Sequence, residues 1–279
     1  MKITNKIHLL KIDFSVPVTP EKSLPRFVNV LIIFGDYITL VDSGVDGSHE
    51  AIYDYIEKHG RQRSEIKKLI ISHAHPDHIG SAQRIKTDTG CEVIGHANEM
   101  EWIENIDFQY KSRPVPGFYT LVNVPVKLDT IWTGGEEVSL DNDIHIQIIN
   151  TPGHSKGSFS ILFKEDQILF TADSLPVEND IPTYDNYKAL SDSIRYIKSL
   201  QGFTTLLSSW TTPLNDQAEI QSLISKGEIY LHKLDSIIRE CYAETESNPL
   251  DNCRKVITAA GLPAIFAIPL VDRAFRTHL

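Results

Sequence analysis

Short apolar runs separated by turn residues fill the first part of the chain. KIHLLKI and VNVLIIF are followed by a turn at Gly35-Asp36 and then by ITLVDSG. Apolar runs of this length, bounded by turn residues, are typical of β-strands joined as hairpins. Residues 49–59 then repeat apolar side chains at helical spacing, and residues 67–72 return to a short buried strand. The pattern predicts a hairpin region followed by alternating helices and strands.

Strand signals resume in the second half of the chain. They are KLDTIW, IHIQIINT, SFSILF, ILFTAD and TTLLSS, with a helix predicted over residues 187–200.

Between the two halves, residues 105–125 are rich in aromatic residues and prolines and show no clear period. We interpret them as a long loop, and because such loops in compact domains are usually functional or mobile, as a candidate substrate lid. The alternative is a surface excursion anchored by its aromatic residues, with no role in substrate binding.

The last part of the chain has a helical pattern. Residues 216–242 place apolar side chains on one helical stripe, and shorter helical segments follow at 252–260 and 269–279. The stripe must be covered by the core, by a partner subunit or at the mouth of an active site. We predict a catalytic domain over residues 1–212, a helical extension over residues 213–279 packed on it, and a homo-oligomer formed through the C-terminal helices.

Composition and charge exclude several classes of protein. The net charge of -10 comes from 37 acidic and 27 basic residues without a basic block, which argues against nucleic acid as a partner. The longest apolar run is too short to span a bilayer, and the N-terminal residues do not resemble a signal peptide, which argues against a membrane partner. Cys91, Cys241 and Cys253 form an odd set without CxxC spacing, which predicts a cytoplasmic location.

The segment SHAHPDHIG carries the clearest chemical signal. His73, His75, Asp77 and His78 lie within six positions, directly after a short apolar strand. Alternation at the strand end points the first two imidazoles the same way, and a turn at Pro76 can bring the other two side chains to a neighbouring point. Imidazole and carboxylate suit zinc, and iron or manganese in related arrangements. The alternative is a polar loop that caps the next helix, but such a grouping seldom arises without a function.

Two further segments place a ligand-type residue just past a strand. TPGHS contains His154 after the strand IHIQIIN, and FTADS contains Asp173 after the strand QILF. If the ends of these strands meet at one edge of a sheet sandwich, the two side chains can join the first group there. The sequence therefore predicts one composite metal site.

The HxHxDH run, the TPGH turn and the TAD turn, in this order, resemble the metallo-β-lactamase superfamily over about residues 5–212. The resemblance implies an α+β fold, an αββα sandwich of two mixed sheets flanked by helices, here with the C-terminal helical extension. It also implies six metal ligands: three for a first metal, two for a second and one bridging both. In that order they are His73, His75 and His154; Asp77 and His78; and Asp173.

One expected ligand of the family is absent from this sequence. The family usually supplies a further histidine from a Gly-His turn after a late strand, but the corresponding turn here reads Ser208-Ser209-Trp210. Either the second site is weak or empty, or water or another residue fills the position. The downstream imidazoles, His232 and His278, are more typical of surface or core histidines.

Four other polar residues are candidates for a role near the site. Asp42, in the LVDSG turn, resembles an acidic turn of the family that orients a ligating imidazole; the alternative is an aspartate that caps its own backbone. His96 and His145 are weaker candidates that can face solvent or line the sheet edge. Lys156 can neutralise an acidic substrate group, but a solvated lysine is the preferred interpretation.

The predicted chemistry is hydrolysis. A bound divalent metal lowers the pKa of water to about 7 and yields hydroxide, the nucleophile that attacks a polarised carbonyl. Asp77 is predicted to orient it and to take its proton. We predict one or two zinc ions as cofactor, with iron or manganese as alternatives, and a small-molecule ester, thioester or lactone as substrate. Two other functions remain: a metal-binding protein of the same fold without turnover, and a diiron-type oxidoreductase.

Overall fold

Two mixed β-sheets form the centre of the fold in the computed structural model, which describes residues 1–19, 22–243, 248 and 250–279. The first sheet contains six strands in chain order, antiparallel from the first to the third and parallel from the third to the sixth. They are β1 (Ile7–Thr19), β2 (Lys22–Phe34), β3 (Ile38–Val41), β4 (Ile66–Ile70), β5 (Glu92–His96) and β6 (Thr130–Trp132).

The second sheet contains five strands. They are β7 (Glu137–Asp141), β8 (Ile144–Asn150), β9 (Phe159–Phe163), β10 (Ile168–Phe170) and β11 (Thr205–Leu207). Their order across the sheet is β11-β10-β9-β8-β7, and only the β10–β11 pair is parallel. β7 was not among the predicted strands, because its burial is slight and its sequence EVSLD carries little apolar signal.

Ten α-helices cover the sheets in the described part of the chain. They are α1 (Ser48–Lys58), α2 (Pro76–Ile79), α3 (Ala82–Thr89), α4 (Met100–Glu104), α5 (Ile106–Ser112), α6 (Phe118–Leu121), α7 (Tyr187–Ser199), α8 (Gln217–Cys241), α9 (Asp251–Ala260) and α10 (Pro269–Arg276). Short 3₁₀ turns lie at Arg63–Glu65 and Ala264–Phe266.

Alternation along the strands builds a layered core. On β2, Leu31 and Ile33 face the second sheet, while Val30 and Ile32 face a cluster that contains Ile52 of α1. Successive side chains of a strand point to opposite faces, so a strand that is apolar throughout can bury both faces. The outer face of the second sheet is covered by α7 and the first half of α8. The predicted αββα sandwich of two mixed sheets is confirmed.

The helical extension packs against the sandwich. The apolar stripe of α8 is buried: Ile220 and Ile224 join the cluster beneath α7, and Leu234 and Ile238 pack with α9 and α10. The stripe is thus covered within the chain, and the division at residue 212 and the homo-oligomer stay predictions.

Residues 105–125 are not the irregular loop that we predicted. They contain α5 and α6, which are too short to show a helical period in the sequence. The segment is tied to the sandwich, because Gln109 Nε2 donates to the carbonyl of Ala74 at 2.6 Å and the carbonyl of Leu121 accepts from the backbone of Asp46 at 2.6 Å. A lid role for it stays a prediction.

Two other sequence expectations concern the whole chain. No helix in the described residues combines the length and the apolar character needed to cross a bilayer. The three cysteines are free thiols, with Cys91 and Cys253 buried and Cys241 half-buried.

Candidate metal centre

The candidate site lies at the edge of the sandwich where several strands end. After β4 come His73, His75, Asp77 and His78; after β8 comes His154; and after β10 comes Asp173. Pro76 occupies the first turn of α2, a position that suits its fixed φ, and the single turn of helix carries Asp77 and His78 back to this edge. All six side chains predicted as metal ligands therefore lie together, and all but Asp77 are buried.

Three imidazole nitrogens face a common point. Nε2 of His73 lies 3.1 Å from Nδ1 of His75, and that atom lies 2.7 Å from Nε2 of His154. Nitrogen ligands of a tetrahedral zinc ion, each about 2 Å from the metal, are about 3.3 Å apart. The three rings therefore have the spacing that a single metal ion requires.

Asp173 connects this group to the other predicted ligands. Its Oδ2 lies 3.2 Å from Nε2 of His154, and its Oδ1 lies 3.3 Å from Nε2 of His78. Oδ2 of Asp77 lies 3.6 Å from the same His78 nitrogen. The structure thus places Asp173 between the two sets, where a bridging ligand would have to be.

Two buried polar atoms at this point test whether a metal fits. Within the described ranges, Nε2 of His78 and Oδ1 of Asp173 have no hydrogen-bond partner. Buried polar groups are almost always satisfied, and an unsatisfied pair that faces each other indicates a missing ligand. A divalent cation satisfies both the imidazole lone pair and the carboxylate oxygen. The residues present therefore fit a metal, and the donor set suits zinc, iron or manganese.

Asp42 orients part of this group. Its Oδ2 lies 2.8 Å from Nδ1 of His78, which leaves Nε2 of that ring to face the other ligands. The backbone N–H and the hydroxyl of Ser72 donate to the same carboxylate, each at 2.8 Å. Asp42 has φ of 65°, in the left-handed region that non-glycine residues seldom adopt. The geometry matches the orienting role rather than the alternative of a cap on its own backbone.

Burial and neighbouring charges act differently on the pKa values of individual members of the group. Burial lowers the pKa of His73 and His75 well below the usual range, so both rings are neutral, which is the form that binds metal. Burial also disfavours the charged form of Asp173. His78 and His154 outweigh that effect and hold the pKa of this carboxyl well below its usual range.

Glu99 is a buried carboxylate that our sequence reasoning missed. One oxygen accepts from the backbone N–H of Ala74 at 2.8 Å, and the other accepts from the hydroxyl of Ser155 at 2.6 Å and from the N–H of Gly157. Burial raises the pKa of Glu99, although these hydrogen bonds oppose the shift. Glu99 thus joins the loop of His73 and His75 to the loop of His154. A lone glutamate in a segment without a motif gives no signal of such a role.

The family assignment rests on the extent of the matching sequence. The model of the metallo-beta-lactamase superfamily matches residues 24–213, which is more than half of the chain. The chain belongs to the metallo-beta-lactamase superfamily.

Curated relatives within the superfamily include several hydrolases. A hydroxyacylglutathione hydrolase of Rhizobium etli is 28% identical over 159 residues, which are 57% of this chain and 52% of that protein. Hydroxyacylglutathione hydrolase GloC of Haemophilus influenzae is 31% identical over 137 residues, 47% of this chain and 61% of that protein. The chain thus spans only about half the length of the first of these relatives and less than two thirds of the second.

Solved structures of the superfamily share the fold. The metallo-beta-lactamase family protein TTHA1429 of Thermus thermophilus has a TM-score of 0.76 at 17% identity, covering 100% of this chain and 93% of that one. The FEZ-1 metallo-beta-lactamase of Legionella gormanii has a TM-score of 0.63 at 18% identity, covering 78% of this chain and 94% of that one. At these identities the likeness establishes the sandwich fold alone.

The late turn of this superfamily member differs from the expected Gly-His turn in structure as well as in sequence. Ser209 is fully buried, and its Oγ has no hydrogen-bond partner among the residues described. The half-buried Trp210 faces the site mouth and stacks on Arg26, whose Cζ lies 4.5 Å from the ring centre. An apolar indole thus stands in the turn where the family usually has an imidazole.

A cleft of about 120 Å³ opens onto the metal centre. Its floor includes His75, Asp77, His154 and Asp173, and Arg113 and Trp210 line it as well. The apolar wall comes from four separate regions of the chain, represented by Phe14 and Leu24, Val115 and Leu121, Ile181, and Ile268 and Leu270. The cleft therefore combines a polar floor with an apolar mouth.

The remaining histidines and the lysine considered in the sequence lie elsewhere. His96 is buried and accepts the N–H of Asn98, and His145 pairs with the exposed Glu165. Lys156 and His232 are exposed. His278 is buried in the extension, where its Nε2 lies 2.7 Å from the Tyr184 hydroxyl and its Nδ1 lies 2.9 Å from Asp235. The structure brings none of them into the metal group.

Proposed function

We propose that this protein is a metal-dependent hydrolase that cleaves an ester, thioester or lactone of a small molecule. The observation that carries the proposal is the convergence of six ligand-type side chains, among which the facing atoms Nε2 of His78 and Oδ1 of Asp173 are buried without a hydrogen-bond partner in the described residues. Membership of a superfamily with many hydrolases agrees with it.

The metal would be zinc, held first by the three histidines whose nitrogens share one point: His73, His75 and His154. Asp77, His78 and Asp173 would hold a second ion. When bound, the metal supplies Lewis-acid polarisation of the substrate carbonyl and makes water a better nucleophile near neutral pH. The protein's own part is to fix these ligands through Asp42 and Glu99 and to keep them in a buried, shaped cleft.

Asp77 is the residue that we propose for proton transfer. It is the least buried member of the group, and its carboxylate lines the cleft where the substrate would enter. From that position it can accept a hydrogen bond from a water molecule, orient it toward a carbonyl carbon and take its proton.

The cleft supports a small acyl compound as the substrate. Its apolar wall suits an acyl chain, and its volume suits a small molecule. The curated relatives named as hydrolases of hydroxyacylglutathione favour a thioester within this class.

We propose a cytoplasmic location on the basis of the three free cysteines.

Metal analysis with variants tests the site. Wild-type protein and the variants His73→Ala, His154→Ala and Asp77→Asn are purified alike, and metal atoms per chain are measured together with turnover of lactones, thioesters and phosphodiesters. We expect both alanine variants to lose the tightly held metal. Asp77→Asn should keep it while turnover falls about 100-fold or more, the size of a general-base contribution.

The exposed His145 supplies the matched control, because His145→Ala removes an imidazole that lies outside the group. Full metal in both alanine variants would contradict the ligand assignment. If the wild-type protein holds stoichiometric metal but its turnover does not exceed that of His73→Ala, the result would favour a binding protein without catalysis. Iron in place of zinc would favour a redox enzyme.

The number of metal ions depends on the late turn. We propose one tightly bound ion, because Trp210 supplies no ligand to the second group. Trp210→His should raise the metal content toward two per chain, whereas Trp210→Phe, which removes the indole without adding a ligand, should not. Equal metal content in the two variants would show that this turn does not face the second group.

A further inference from the structure

Arg113 is a buried cation beside the metal centre with no part in the chemistry described so far. It follows α5, its side chain is only 4% exposed, and it lines the cleft next to His75 and Asp77. A buried charge is costly unless it is paired, so each of its nitrogens requires an explanation.

One acidic residue, Asp185, pairs with only one of the three side-chain nitrogens of Arg113. Its Nε lies 3.3 Å from Oδ1 of Asp185, which is fixed by backbone bonds from its own N–H to the carbonyls of Gly153 and His154. The same Oδ1 also accepts a hydrogen bond from Arg273 of α10. One carboxylate is therefore shared by two guanidinium groups, so Asp185 alone does not neutralise both Arg113 and Arg273.

The two terminal nitrogens of Arg113 are unused. Nη1 and Nη2 make no hydrogen bond with any residue that the structure describes. Arg26 also lines the cleft, but its terminal nitrogens donate to the two carboxylate oxygens of Asp180 at 2.7 and 2.8 Å. Arg113 is therefore the lining arginine whose planar pair of donors is open to a ligand.

We infer that Arg113 binds a carboxylate of the substrate and so selects esters or thioesters that carry a free carboxylate close to the reacting carbonyl. The inference rests on the proposed function and specifies its substrate class. A guanidinium matches the two oxygens of a carboxylate in a bidentate pair. A phosphate dianion would need further cations, whereas the other arginine of the cleft is already paired and the metal ligands Asp77 and Asp173 lie nearby.

The apolar wall of the cleft limits the chemistry of the rest of the substrate. Val115, Pro116 and Leu121 line the same cleft as Arg113, so the part of the substrate between its carboxylate and its carbonyl is expected to be apolar, and the small cleft favours a short chain. A monoester or monothioester of a small dicarboxylic acid has these features.

The test compares a charged substrate with its neutral counterpart. The values of kcat/KM are measured for the p-nitrophenyl monoester of glutaric acid and for the same ester with its free carboxyl capped by methyl. We expect the wild-type protein to prefer the charged ester. Arg113→Gln should lower the ratio of the two values by about 10- to 100-fold, as expected for loss of a charge-assisted pair.

Two further variants control this result. Arg113→Lys keeps the charge but loses the planar fork, and its ratio should fall between those of the wild type and Arg113→Gln. Arg84→Gln removes an exposed arginine that pairs with Asp88 on α3 and should keep the wild-type ratio. A ratio unchanged in Arg113→Gln, or equal falls for both esters in both Arg113 variants, would assign Arg113 a structural role and overturn the inference.

A binding measurement separates this inference from the proposed function. Glutarate and inorganic phosphate are titrated calorimetrically into metal-loaded wild-type and Arg113→Gln proteins. Glutarate should bind about tenfold more weakly to the variant. If this holds while no ester is hydrolysed, the hydrolase proposal fails and the carboxylate site stands. Equal glutarate affinity in both proteins, or a stronger Arg113-dependent affinity for phosphate, would overturn the carboxylate site.

Discussion

The polar floor of the cleft and its apolar mouth are built in different ways. The floor takes its six candidate ligands from three compact motifs, each directly after a strand. The mouth collects side chains from the β1–β2 hairpin, the α5–α6 segment, the region around Ile181 and the C-terminal extension. The strand ends of the sandwich fix the floor, whereas the mouth depends on how distant segments pack together.

We therefore expect the floor to determine the type of reaction and the mouth to determine which substrate is bound. The floor residues are imidazoles and carboxylates, polar groups that are costly to bury together without a cation. The mouth residues are ordinary apolar side chains, and their chemistry alone does not distinguish them from the core. Changes to the floor should therefore cause large losses of metal binding, turnover or stability, and changes to the mouth should alter substrate selectivity by smaller factors.

The largest effect is expected for Glu99, which supports the floor from beneath. Glu99→Ala leaves the N–H groups of Ala74 and Gly157 and the hydroxyl of Ser155 without their acceptor. We expect a loss of about 3 kcal/mol in the free energy of unfolding, together with weaker metal binding. Chemical denaturation and metal titration measure the two effects.

Glu101 is the matched control for Glu99, since it lies on α4 and is exposed. Glu101→Ala should change the free energy of unfolding by less than about 0.5 kcal/mol. Equal destabilisation by the two variants would mean that Glu99 does not join the two ligand loops.

A smaller effect is expected in the mouth. Leu270 of α10 lines the cleft, so Leu270→Ala removes apolar surface that an acyl chain would contact. The ratio of kcat/KM for a hexanoyl ester to that for an acetyl ester should fall about tenfold, close to the value of two methylene contacts. Ile265→Ala, at an exposed position of the same extension, should leave the ratio unchanged. If neither variant changes the ratio, the extension does not contribute to the substrate site.

The smallest effect concerns the attachment of the extension. Tyr184 donates to Nε2 of His278, whose Nδ1 in turn pairs with Asp235 of α8. Tyr184→Phe leaves a buried imidazole nitrogen without its donor and should lower the free energy of unfolding by about 1 kcal/mol. Tyr196→Phe, at a tyrosine that is 51% exposed, should have little effect on it. Similar values for both variants would show that this link does not anchor the extension.

Much of the floor could be predicted from the sequence. The spacing of His73, His75, Asp77 and His78 after an apolar strand indicated a metal site, and the turns of His154 and Asp173 completed it. Asp42 was also found, with its role left open between two alternatives. The structure brings these side chains together because the strand ends share one edge of the sandwich, and their role as metal ligands stays a prediction.

The supporting and selecting residues could not be predicted. Glu99 and Arg113 are single charged residues in segments without a motif, and surface glutamates and arginines are common. Residues 105–125 were interpreted as a loop, because helices of one or two turns leave no readable period. Only packing shows that Glu99 joins two ligand loops and that Arg113 faces the cleft.

The sequence by itself determined the family, most of the strand segments and the chemical types gathered at the strand ends, because these follow from local periodicity and from motifs of fixed spacing. The tertiary structure decided which lone charges are buried, which carboxylate is shared between two arginines, and which apolar segments surround the cleft. Those properties arise from contacts between residues far apart in the chain, and local sequence carries no record of such contacts.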